Sequence, residues 1–175
     1  MAFYWDREYD RHNILMYRGT PEGDSDNRRF DMFDAVKVKN DCVQWIRDFF
    51  EANGKDCNAI VGISGGKDST VIAMLLQSIF GCERVYGVMM PNGTQKDIQD
   101  SKDVIRILGI NEWTVNIGDA FNSIVSQLGD ATYDCLTNLP ARLRMSTLFA
   151  VAQCVNGRVI NTDNLTESVL GYSTF

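Results

Sequence analysis

The apolar stretch Ala59-Ile60-Val61-Gly62-Ile63 runs directly into Ser64-Gly65-Gly66, and an apolar-periodic segment, residues 71–80, follows at once. A β-type run that stops at glycines and restarts as a helix builds a strand–turn–helix unit. The turn of such a unit points free backbone N–H groups at an anion. The order of residues narrows the kind of anion site. The P-loop pattern requires Gly, four residues, Gly-Lys and then Ser or Thr. Here Lys67 is followed by Asp68, and Val61 stands five before Gly66, so that pattern fails. The dinucleotide pattern G-x-G-x-x-G fails as well.

Strand and helix patterns alternate after this point. The spacing predicts strands over 57–63, 84–90, 112–117 and 157–161. Helices are expected over 34–52, 68–80, 97–108, 119–128 and 141–155, and again from 164. Short apolar strands alternating with helices imply an α/β fold, an open parallel sheet with helices on both faces. Ligands bind such sheets beyond the carboxyl ends of the strands. In the leading helix Val38, Cys42, Trp45, Ile46 and Phe49 form the expected apolar stripe, and Asn53-Gly54 ends it. Residues 1–33 read as a partly looped N-terminal extension, with 18–29 rich in loop-forming residues. Residues 34–175 read as the domain proper. A chain of 175 residues that is 45% apolar has material for one core.

The formal charge of −6 argues against nucleic acid as a partner. No apolar stretch approaches the ~20 residues that span a bilayer. The five cysteines form no C-x-x-C pair and His12 is the single histidine, so a structural zinc or iron–sulfur site lacks ligands. Their odd number is in keeping with reduced thiols and a cytoplasmic protein, and they are expected to be mostly buried small apolar residues.

Several polar residues fall where a parallel sheet would collect them. Ser64, Gly65 and Gly66 allow a tight turn and a close backbone approach to phosphate. Asp68, at the start of the following helix, is either an N-cap or a carboxylate for Mg²⁺ on a polyphosphate. Lys67 and Ser69 flank it; Lys67 has solvation as its plain alternative. Gln95 follows the second strand, within a turn signal. Pro140 suits the first turn of a helix, which would place Arg142 and Arg144 in its first two turns, against the helix dipole. An anionic ligand would explain that placement. Two residues apart, the arginines face different ways and could grip two anions. Asn164-x-x-Glu167 has the form of a capping box; the alternative for Glu167 is a second metal carboxylate, opposite Asp68.

The hexapeptide Ser-Gly-Gly-Lys-Asp-Ser resembles the pyrophosphate loop of the ATP pyrophosphatase superfamily, whose members cleave ATP to AMP and pyrophosphate. Further segments make the resemblance more specific: Met90-Pro91-x-Gly93-Thr94-Gln95, Asn138 to Met145, Asn161 to Glu167, and Gly171-Tyr172-Ser173-Thr174. Together they are similar to ammonia-dependent NAD synthetase, over about residues 34–175. The resemblance implies a Rossmann-like, adenine nucleotide alpha hydrolase-like fold. It implies amidation of deamido-NAD to NAD with ATP, Mg²⁺ and ammonia. Carried over, Ser64, Gly65, Gly66, Lys67, Asp68 and Ser69 form the ATP phosphate site, and Gln95, Arg144 and Thr162 also contact ATP. Asn138, Arg142 and Tyr172 lie on the deamido-NAD side. Asp68 and Glu167 are the catalytic metal pair. A homodimer is implied.

Two departures stand beside the resemblance. Family members continue beyond the Gly-Tyr-Ser-Thr segment, so a C-terminal truncation is expected for a chain ending at Phe175. Position 89 is Met where some relatives are expected to carry a basic nucleotide contact. The alternatives are another ATP pyrophosphatase, such as one resembling GMP synthetase, and a non-catalytic ATP-binding fragment.

Overall fold

The structure is a computed structural model that describes residues 34–164 together with Thr166 and Glu167. Residues 1–33 and Tyr172 lie outside the described residues. Helix α1 (Ala35–Asn53) leads into β1 (Asn58–Gly62), and α2 (Lys67–Phe80) follows. A short 3₁₀ turn at Cys82–Arg84 opens β2 (Val85–Met89). Then come α3 (Ile98–Leu108), β3 (Asn111–Thr114), α4 (Gly118–Leu128), α5 (Tyr133–Cys154) and β4 (Gly157–Ile160).

The strands form one parallel sheet in the order β3-β2-β1-β4. Ala59 pairs with Val85 on one side and Arg158 on the other, so β1 is central. Its side chains alternate between two cores. Ala59, Val61 and Ile63 pack with Ile46 and Phe50 of α1, Ala73 and Leu76 of α2, and Ile105 of α3. Ile60, fully buried, faces the other way and joins Val88, Val151 and Ala152, with Leu148 beside them, so α5 covers that face. A sheet with helices on both faces needs strands that are apolar throughout, which is what 59–63 supplies.

The order reverses between β1 and β4: the chain first moves outward through β2 and β3, then crosses back to the other side of β1. The crevice at the carboxyl ends of β1 and β4 is therefore the switch point, where open α/β sheets take their ligands. All four expected strands are present, somewhat shorter than drawn from sequence. Backbone bonds from Val115 to the Met89 oxygen and from Ile117 to the Pro91 oxygen carry the β3–β2 pairing on past Thr114.

Three expectations are corrected. Helix α5 starts at Tyr133 rather than residue 141, with Thr132 as its N-cap accepting from the Cys135 N–H at 3.3 Å. Pro140 is therefore inside the helix, and Arg142 and Arg144 lie in its third turn or just beyond, past the reach of the N-terminal dipole. Only Cys57 of the five cysteines is buried; Cys42, Cys82 and Cys154 are exposed and Cys135 half-buried. The α1 stripe is rotated: Phe50, not Cys42 or Trp45, shares the buried edge with Ile46. The physical reason is that β1 and α2 meet that edge, and Phe50 packs on Phe80 with ring centroids 4.5 Å apart. Among the described residues, no helix is long and apolar enough to cross a membrane.

Candidate functional site

The loop between β1 and α2 is internally bonded. The Ser69 side chain, 4% exposed, sits beneath it. Its hydroxyl donates to the Gly66 oxygen at 3.1 Å, accepts from the Ser64 N–H at 3.4 Å, and lies 3.2 Å from the Ser64 hydroxyl. A hydroxyl has one donor and two acceptor sites, so Ser69 is fully occupied within the loop. The Ser64 hydroxyl in turn accepts from the Gly66 N–H at 3.2 Å. Gly65 sits at φ +80°, and a Cβ there would fall 2.9 Å from Cβ of Asp100 at the start of α3. Only glycine satisfies both conditions.

Helix α2 starts at Lys67, and its N-cap, Gly66, contributes no side-chain bond. Asp68 is thus inside the first turn, half-buried, and caps nothing. The N-cap alternative for Asp68 is excluded by this geometry. Its carboxylate makes no hydrogen bond or ion pair among the described residues, beside a loop built to face an anion. Lys67 is exposed and likewise unpaired. Mg²⁺ takes one or two carboxylates and completes its shell with water and substrate phosphate. A single free carboxylate at a phosphate loop fits a metal that arrives with its nucleotide. No cluster of three metal-ligating side chains occurs among the described residues.

Glu167 forms the capping box that its spacing from Asn164 suggested. Its Oε2 accepts from the Asn164 N–H at 2.9 Å, and Asn164 Oδ1 accepts from the Glu167 N–H at 3.0 Å. This is a reciprocal capping box, and it engages one carboxylate oxygen. Thr162, half-buried, lies two residues past the end of β4.

Helix α5 brings the arginines to two different places. Gly62 lets α5 close on the sheet, since a Cβ there would meet Met90 Cε at 3.3 Å and Leu148 Cδ1 at 3.5 Å. One turn before Leu148, Arg144 lies at the carboxyl end of β2 and donates from Nε to the Met90 oxygen at 3.0 Å. Burial lowers its pKa, and no carboxylate among the described residues is paired with it. A guanidinium does not deprotonate in proteins. The lowered value therefore describes a half-buried, uncompensated cation with terminal N–H groups to spare. Arg142 is exposed and lies with Asp134, Cys135, Asn138 and Leu139 around a shallow, open hollow on the surface of α5. Asn138, whose Nδ2 donates to the Asp134 oxygen, is thereby grouped with Arg142 and apart from Arg144.

Gln95 lies on the loop after β2, half-buried and without a hydrogen-bond partner among the described residues. Sequence reasoning missed what holds that loop. Asn116 Oδ1 accepts from the N–H groups of Gly93 at 3.0 Å and Gly118 at 2.9 Å, and its Nδ2 donates to the Gly93 oxygen at 3.1 Å. The one available signal was an asparagine directly after a β-type run.

A parallel sheet with a glycine turn at its switch point, a carboxylate on the next helix that has no partner among the described residues, and a guanidinium tied to the end of β2 defines an open α/β protein of the switch-point class. The family model described as NAD synthase matches residues 38–175, and the chain belongs to that family. It is 35% identical over 147 residues to the NH₃-dependent NAD⁺ synthetase of Mycoplasma genitalium, covering 82% of this chain and 59% of the relative. It is 38% identical over 152 residues to the enzyme of that name from Alkaliphilus metalliredigens, covering 80% and 60%. Among solved structures, an NH₃-dependent NAD synthetase from Campylobacter jejuni superposes with a TM-score of 0.75 at 26% identity, over 81% of this chain and 62% of that one. An NMN synthetase from Francisella tularensis superposes at 0.72 with 32% identity, over 81% and 60%. The fold is the adenine nucleotide alpha hydrolase-like one. The chain spans roughly three-fifths of the length of these relatives.

Proposed function

We propose that the protein amidates deamido-NAD to NAD, using ATP and ammonia and releasing AMP and pyrophosphate. The observation that carries this reading is family membership over residues 38–175 combined with a formed anion loop at the switch point.

A carboxylate resists attack by ammonia until it bears a good leaving group. The nicotinate carboxylate oxygen attacks the α-phosphorus of ATP, the bond to the β-phosphate oxygen breaks, and pyrophosphate leaves. Ammonia nitrogen then attacks the acyl carbon of the adenylate, the bond to AMP breaks, and the nitrogen loses a proton. Bringing two anions together requires cationic and N–H groups fixed beforehand. Ser64, Gly65, Gly66 and Lys67 would cradle the phosphates, with Ser69 holding the loop in shape from below. Gln95, Arg144 and Thr162 would contact the rest of ATP. Asn138, Arg142 and Tyr172 would hold deamido-NAD. Asp68 and the uncommitted oxygen of Glu167 would hold Mg²⁺, which offsets phosphate charge when bound. A cytoplasmic homodimer belongs to the same reading.

A second reading has one observation in its favour, the NMN synthetase among the structural neighbours, at 32% identity. Under it the acid substrate would be nicotinate mononucleotide. One assay separates the readings: the protein with ATP, Mg²⁺ and ammonium, supplied in turn with deamido-NAD, nicotinate mononucleotide or XMP, and scored for amide product and pyrophosphate. NAD formed preferentially from deamido-NAD supports the first reading. Preference for the mononucleotide supports the second. Pyrophosphate released only with XMP overturns both, and ATP binding without turnover leaves a nucleotide-binding module.

A further inference from the structure

The loop that carries Gln95 has few means of holding its own shape. Gly93 sits at φ +73° with open space where a Cβ would point, and Gln95 makes no hydrogen bond among the described residues. Its fastening comes from the neighbouring strand end. The Asn116 carboxamide bonds both the N–H and the C=O of Gly93, as one peptide group pairs with another, and its Oδ1 also takes the Gly118 N–H. Gly118 is buried against the same place: a Cβ there would lie 2.7 Å from the Gly93 nitrogen. The Ile117 N–H adds a bond to the Pro91 oxygen at 2.9 Å. The loop after β2 is thus clamped onto the start of α4 at one residue, two positions before Gln95.

We propose that Asn116 is a positioning residue for recognition of the nucleotide base, fixing the 91–96 segment so that the Gln95 carboxamide meets the base edge. This rests on the ATP site described above. A triphosphate seated on the β1 loop leaves its nucleoside free to extend over the end of β2, where Gln95 stands. A neutral carboxamide, with two donors and an acceptor, suits a heterocycle edge better than a phosphate. Adenine and guanine present opposite donor and acceptor patterns at that edge, so a fixed carboxamide can tell them apart.

The test is calorimetric titration of the protein and its variants with Mg·ATP and with Mg·GTP, alongside thermal melts. The wild type prefers ATP. Asn116→Ala raises the Kd for ATP about tenfold, as expected from losing a clamp of three hydrogen bonds, and leaves that for GTP within about twofold. Gly118→Ala pushes the same loop from the other side and gives the same selective loss. Asn116→Asp, which keeps both acceptor contacts, falls between. Equal weakening of ATP and GTP in these variants would mean general loss of structure and overturns the proposal. An unchanged ATP preference overturns it too, as does a wild type that does not distinguish the two nucleotides. A wild type that binds neither nucleotide sinks the functional reading itself, and this inference with it.

Discussion

Arg144 Nε donates to the main-chain oxygen of Met90 at 3.0 Å, tying a cation of α5 to the carboxyl end of β2. The bond uses one of five guanidinium donors and fixes the plane of the rest. Arg144→Lys loses that fixed plane, so the KM for ATP should rise roughly ten- to a hundredfold, an effect typical of breaking a charge-assisted contact. Arg144→Met removes a half-buried cation that nothing compensates. Its melting temperature should therefore equal or exceed that of the wild type, while turnover is lost. Initial rates and thermal melts check both. A destabilised methionine variant would show that the arginine holds the fold rather than the ligand.

Asp68 caps nothing and has no partner among the described residues, so its charge contributes little to the fold. Asp68→Asn should abolish Mg²⁺-dependent turnover and cost about 0.3–1 kcal/mol of stability, the value of a carboxylate in a first helical turn. Activity retained at ordinary Mg²⁺ would sink the metal role.

Glu167 combines a capping bond to the Asn164 N–H with an oxygen left for a cation. Glu167→Gln keeps an acceptor for the cap and removes the charge; Glu167→Ala removes both. Metal binding predicts that the glutamine variant is thermally like the wild type and requires far more Mg²⁺, whereas the alanine variant also loses about 1 kcal/mol. If the glutamine variant has a normal Mg²⁺ dependence, Glu167 is a cap and nothing more.

Arg142 is exposed beside Asn138 on α5, whereas Arg144 is tied to the end of β2. Arg142→Ala should raise the KM for deamido-NAD more than that for ATP. Steady-state kinetics with each substrate varied in turn give the comparison, and the opposite order would exchange the roles of the two arginines.

Pro140 sits inside α5, where it has no N–H for the Leu136 oxygen four residues back. Pro140→Ala restores that bond and should stabilise the protein by about 1–3 kcal/mol in urea denaturation. A destabilised variant would mean the proline is required by the packing of α5.

The glycine turn between β1 and α2 was legible from sequence because its constraints are local. An apolar run, two glycines that permit a tight turn, and a helical period follow one another within about twenty residues. The alternation of strands and helices was legible for the same reason. The start of α5 was not. Pro140 is compatible with a first turn, and only packing against the sheet repays the bond it removes from a helix interior. The cysteines misled because their burial depends on which face of an element meets a neighbour. Cys57 enters the core between α1 and β1, while Cys42 sits on the exposed side of α1.

Sequence by itself determined the class of fold, the glycine turn after β1 and the set of polar residues near the strand ends, since each follows from neighbouring residues and their period. Tertiary structure decided how those residues are used. It engages Ser69 within the loop and leaves Asp68 free. It sends Arg144 to the end of β2 and leaves Arg142 on the exposed face of α5, and it makes Asn116 the clamp on Gly93. The placements of Arg144 and Asn116 depend on groups 20 to 60 positions apart in the chain being brought within about 3 Å, as Arg144 and Met90 are, or Asn116 and Gly93. Such distances are set by packing of the sheet and its helices, to which a local pattern is blind.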